Sequence, residues 1–151
     1  MTLRYPVLAT VALAACAGGG MARSSSAPSA APAPDAFECV QKQIKAVGFT
    51  QTSHDTDDLR LTARKYDESA RRSDVTFRRL IDRLEVQVSP GAEGEVSRIS
   101  VVATTFAERT THRGPTEEQE RTSEGASAAA RTILEKCGGA AAVSDSVVPQ
   151  S

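Results

Sequence analysis

The chain contains no tryptophan, and its four Phe and two Tyr make aromatics only 4% of 151 residues. So few rings argue against a base-stacking platform for single-stranded nucleic acid and, more mildly, against a sugar-stacking surface. Long apolar runs are missing too: none reaches the ~18–20 residues of a membrane-spanning helix. Charge almost cancels, with 18 Lys and Arg against 19 Asp and Glu. A formal net charge of -1 leaves no global field to draw the protein to nucleic acid. The sequence also has no P-loop, no G-x-G-x-x-G, no H-E-x-x-H and no G-x-S-x-G elbow. The expectation is a protein that is not an enzyme and has no cofactor. A dispersed Ser–His–Asp hydrolase built on His54 or His112 remains the alternative, because triads are recognised by geometry rather than sequence.

What is present begins at the N-terminus. Arg4 and the terminal amine precede an apolar stretch, Val7 to Ala15, that is broken only by Thr10 and ends in small residues. This is the layout of a secretory signal, too short to cross a bilayer by itself. Leu13-Ala14-Ala15-Cys16 then resembles the lipobox of bacterial lipoproteins. The resemblance covers about the first twenty residues and implies processing and address, but no activity. It implies cleavage before Cys16, a diacylglycerol thioether on its sulfur, and acylation (palmitate) of the new amine. Two or more acyl chains at ~0.8 kcal/mol per buried CH₂ hold a protein firmly on a membrane. Ala17 stands where Asp favours retention in the inner membrane, so the resemblance points to the periplasmic face of the outer membrane. The outer face of the cytoplasmic membrane is the alternative. The membrane is thus the expected partner through Cys16, with an envelope protein as a further one and nucleic acid excluded.

Four segments follow from composition. Residues 1–15 are the signal peptide. Residues 16–35 are nearly all Ala, Gly, Ser and Pro, which predicts a flexible tether of up to about 60 Å. Residues 36–138 carry organised pattern and form the globular domain, and 139–151 read as a disordered tail.

Within the domain, Phe37, Val40, Ile44 and Val47 recur at helical spacing, Asp35 and Glu38 fit a capping box, and Gly48 supplies a stop. Strands are expected over 49–53, 59–66, 84–88 and 99–106, with Ser89 to Gly94 as a hairpin turn. The stretch 67–82 reads as a short helix or irregular segment, although Val75, Phe77, Arg79 and Ile81 alternate like a strand. Residues 108–122 read as a polar loop because Gly114-Pro115 argues against a regular element. A second helix spans 123–137, with Ala126, Ala130, Ile133 and Cys137 on one stripe. The expected fold is α+β: a small antiparallel sheet of about four strands with an N-terminal and a C-terminal helix on one face.

The cysteine count is three, an odd number that lipidation of Cys16 resolves. Export would place the remaining Cys39 and Cys137 where disulfides persist. A bond between them ties the start of one helix to the end of the other and makes the pair antiparallel.

Residue types that could carry chemistry are sparse. His54 lies among Asp55, Asp57 and Asp58, but the ligand order of a calcium loop is absent, so no metal is expected. His112 reads as a loop residue. Glu117, Glu118, Glu120 and Glu124 crowd the approach to the second helix, where they would complement its dipole. Arg60, Arg64, Lys65, Arg71, Arg72, Arg78, Arg79 and Arg83 form a basic stretch that is either a surface for an anionic partner or a solvated face. Three functions follow as expectations: a lipid-anchored envelope scaffold or interaction protein, a module for a small hydrophobic or anionic ligand, and a hydrolase.

Overall fold

The computed structural model of the chain describes residues 21–92, 95–139 and 144–148. The leader and Cys16 lie outside the described residues. The fold is α+β, with elements in the order β1 (Ala22–Ser29), α1 (Ala33–Ala46), β2 (Thr50–Asp55), β3 (Arg60–Asp67), β4 (Phe77–Pro90), β5 (Ser97–Thr111), β6 (Gly114–Glu120), α2 (Glu124–Cys137) and β7 (Ser144–Val148). Among the described residues the strands form one seven-stranded antiparallel sheet, ordered β2-β3-β4-β5-β1-β7, rather than about four. β6 lies off this path and pairs with β5.

β5 organises the sheet because it is long enough to serve two strands on the same edge. Its first half pairs with β1, from Ser29 opposite Ser97 to Ala22 opposite Thr104. Its second half pairs with β6, from Glu120 opposite Thr105 to Gly114 opposite Thr111. β1 and β6 therefore meet end to end, and residues 121–123 leave the sheet where β1 enters it. At that junction the Thr122 hydroxyl hydrogen-bonds the Met21 carbonyl at 2.9 Å and the Ala103 carbonyl at 3.0 Å.

One face of the sheet carries Leu61, Ala63, Leu84, Val86, Val88, Ile99, Val101 and Ala103, which alternate with outward residues as a pleated strand requires. Both helices contribute to the same core, α1 with Phe37, Val40 and Ile44, and α2 with Ala126, Ala130, Ile133 and Leu134. These are the stripes anticipated from spacing. α1 stops at the expected place, where Gly48 takes φ +82°, a conformation that costs glycine little.

Several expectations are corrected. Residues 22–29 of the presumed tether form β1, in the interior of the sheet between β5 and β7. Composition misled here because small residues are what the packing demands. Gly138, just past α2, comes so close that an added Cβ would lie 3.0 Å from the Ala27 Cβ. The Ser29 hydroxyl donates to the Cys137 carbonyl at 2.9 Å, and the Gly139 N–H donates to the Pro28 carbonyl at 2.8 Å.

α1 likewise begins at Ala33, inside the presumed tether, with Pro32 as its N-cap and no side-chain cap, so Asp35 sits in the first turn rather than capping it. Proline fits there because the first amides of a helix have no intrahelical partner to lose. The presumed disordered tail supplies β7 on the outer side of β1.

The 108–122 loop is also corrected, since β5 runs to Thr111 and β6 follows after a tight turn. Pro115 is tolerated because β6 is an edge strand. The ambiguous stretch divides: residues 68–76 are irregular, and β4 starts at Phe77.

Candidate functional site

The helix-free face of the sheet accounts for most of the basic stretch. Tyr66, Ile81 and Phe106 align across β3, β4 and β5, and Ile81 is buried although no helix covers it. Arginines roof this row. Arg79 stacks over Tyr66 at 4.2 Å and Arg83 over Phe106 at 4.8 Å.

Carboxylates then neutralise the roof. Glu108, 5% exposed, accepts from Arg79 Nε at 2.5 Å and from Arg78 at 3.2 Å. Arg64 pairs with Glu117 at 2.9 Å and Arg83 with Glu85 at 2.9 Å. Arg72 grips Glu120 through two nitrogens and stacks on Phe77. Of the rest, Arg60 donates to Gln87, Lys65 lies over the Phe49 ring, and Arg71 donates to the backbone carbonyls of Glu68 and Ala70. Each of these eight cations thus has a partner in the fold, although Arg60, Lys65, Arg71, Arg72 and Arg78 stay exposed to solvent.

Their acidic partners also differ from expectation. Glu117 and Glu120 face these arginines, and Glu118 accepts from Arg109, rather than crowding the dipole of α2. Glu124 alone of the four sits in its first turn. The guanidinium of Arg72 beside Glu120 holds that carboxyl below its ordinary range.

The start of α2 is fixed by a separate polar cluster. Ser123 caps the helix by accepting from the Ala126 N–H at 2.9 Å. Its hydroxyl donates to Asp82 Oδ1 at 2.8 Å, and its own N–H donates to the Thr105 hydroxyl at 2.9 Å. Thr105 donates in turn to the same Asp82 oxygen at 2.6 Å. These bonds tie α2 to β4 and β5.

Cys39 and Cys137 form a disulfide with a Cα–Cα distance of 5.7 Å, joining the first half of α1 to the last residue of α2. His54 lies at the exposed end of β2 and His112 in the β5–β6 turn. Neither has a side-chain hydrogen-bond partner among the described residues. Asp55 uses one oxygen to accept from the N–H groups of Asp58 and Asp57, which lowers its pKa, so the acidic turn caps its own backbone.

A second basic cluster was not legible beforehand. Arg23 of β1, Arg121 after β6 and Arg131 of α2 line an open cleft of about 470 Å³ at the junction of β1 and β6. Thr122, Glu124 and Ser127 complete its walls. Among the described residues none of the three guanidinium groups meets a carboxylate, a carbonyl or a ring. The residues stand at 23, 121 and 131, so no local pattern groups them, and the first lies in the segment misread as tether. The pairing of β1 and β6 with β5 and the packing of α2 on the sheet bring them together.

Compared with known proteins, the sequence matches no family model and no curated protein.

Proposed function

We propose that this chain is a lipid-anchored lipoprotein of the cell envelope, exported and cut before Cys16, that acts without catalysis as an interaction protein at the membrane surface. The observation that carries the reading is the Cys39–Cys137 disulfide, because such bonds persist in proteins that leave the reducing cytoplasm. It supports the leader and lipobox at residues 1–16 through chemistry independent of them.

The start of β1 changes what such an anchor does. Only residues 17–21 separate Cys16 from Ala22, so the span is at most about 20 Å rather than a long leash. A domain on so short a connection rests against the bilayer, with the β1–β6 junction as its near end.

Radiolabelled palmitate fed to expressing cells tests the reading. The wild-type chain should take up label and fractionate with membranes, and Cys16→Ser should do neither; equal labelling of the two chains would overturn the assignment. The disulfide has its own measurement. Reduction, or Cys39→Ala with Cys137→Ala, should lower unfolding stability by about 4–5 kcal/mol in the chain-entropy account, given a separation of 98 residues.

A further inference from the structure

We infer that the cleft of Arg23, Arg121 and Arg131 is a seat for the phosphate groups of anionic glycerophospholipids in the membrane that carries the anchor. The inference rests on the lipid-anchoring reading and adds to it a lipid-contacting surface on the folded domain.

Three observations converge on the cleft. The first is the state of its arginines. In the 60–83 stretch the guanidinium groups are tied to carboxylates, carbonyls or rings, whereas Arg23, Arg121 and Arg131 have no such partner among the described residues and line a common opening. Glu124 is the single acid of the wall, so the described lining carries three positive charges against one negative. The hydroxyls of Thr122 and Ser127 also line the opening, but each gives its one hydrogen to a backbone carbonyl, so the arginines are the donors available to phosphate oxygens.

The second is location. Thr122 hydrogen-bonds the Met21 carbonyl, so the cleft borders the point where the chain enters the fold from the direction of Cys16. Anchoring at Cys16 therefore delivers this cleft, rather than the opposite end of the sheet, to the headgroup layer. Attraction to a charged leaflet falls off within about 8–10 Å at moderate salt, so arginines elsewhere on the domain would gain little.

The third is the neighbouring side chain. Met21 is 48% exposed, one of the few large apolar residues on the surface, and it immediately precedes β1. A flexible apolar side chain beside arginines that can extend to phosphates is the composition of a surface lying at a membrane interface.

The test uses the chain from residue 16 onward with Cys16→Ser, which takes no lipid yet keeps every described element, the core and the disulfide. Co-sedimentation is measured with vesicles of phosphatidylcholine alone and with vesicles containing phosphatidylglycerol. The chain should bind the second and not the first, and more weakly as salt rises. Arg23→Gln with Arg121→Gln and Arg131→Gln should weaken binding roughly a hundredfold, at about fivefold per lost charge. A charge-matched control, Lys45→Gln with Arg71→Gln and Arg113→Gln, should leave it within about twofold. Circular dichroism and urea midpoints confirm that both variants remain folded.

Equal binding to both vesicle types, or equal loss in the two variants, would overturn the inference. So would binding of inorganic phosphate without binding of vesicles, which would make the cleft a site for a soluble anion. Because the assay uses unlipidated chain, it can fail while palmitate labelling at Cys16 succeeds, and the reverse. The two proposals fall separately.

Discussion

The two arginine groups of this protein do opposite things. Arginines of the 60–83 stretch lie flat over Tyr66 and Phe106 on the helix-free face and are neutralised by Glu85, Glu108 and Glu117. They take the place of a third layer over the row in which Ile81 is buried, with their charged heads paired to carboxylates. The arginines at the β1–β6 junction line an open cleft and pair with no described carboxylate or ring. Density of charge along the chain is therefore a poor guide to where charge is free. The richest basic stretch is largely partnered, and the arginines that share an open cleft come from three distant segments.

The largest effect that would break this comparison is expected at Glu108. Replacing it with Ala strips Arg79 of its strongest partner in a site only 5% exposed at the acid, and should cost about 2–3 kcal/mol by urea unfolding. A change below 0.5 kcal/mol would mean that the roof is ornamental and its arginines are available to a partner after all.

Next is the Arg72–Glu120 pair, whose side chains are 35% and 25% exposed. A double-mutant cycle with Gln at both positions should give a coupling below about 1 kcal/mol. The coupling should also depend on pH. Arg72 lowers the folded-state pKa of Glu120, so the stabilisation is fully present above the unfolded value of about 4.3 and is lost as pH falls through the lower folded value. Cycles at pH 7 and at pH 2 to 3 check the sign; coupling that persists in acid would remove the ionic account.

Smaller still, the triple Gln variant of Arg23, Arg121 and Arg131 should unfold within about 0.5 kcal/mol of wild type, because exposed residues outside a network seldom do more. A much larger loss would place these arginines in the structural group. Finally, Glu124→Gln removes the one acid of the cleft and should raise binding to anionic vesicles by about fivefold or less. Unchanged binding would detach Glu124 from the site.

Legibility from sequence followed physical range. Helix stripes at Phe37, Val40, Ile44 and at Ala126, Ala130, Ile133 declare themselves through local periodicity, and the Gly48 stop through local conformational preference. Strands β1, β6 and β7 are different. Ala22–Ser29 has little intrinsic strand preference, and Pro115 weighs against one; what makes them strands is the long edge of β5 and, for β7, the far side of β1. Small residues carry an ambiguous signal, since Ala, Ser and Gly suit both a chain that cannot pack and a place where a helix must come close.

The α+β class and the two helices were legible in spacing along the chain, and the pairing of Cys39 with Cys137 was expected on the reading that lipid takes Cys16. Tertiary structure alone decided which strands complete the sheet, which arginines are paired, and which three gather beside the first strand. Those outcomes depend on hydrogen-bond register and on charges meeting across dozens of residues, and neither leaves a trace in local composition.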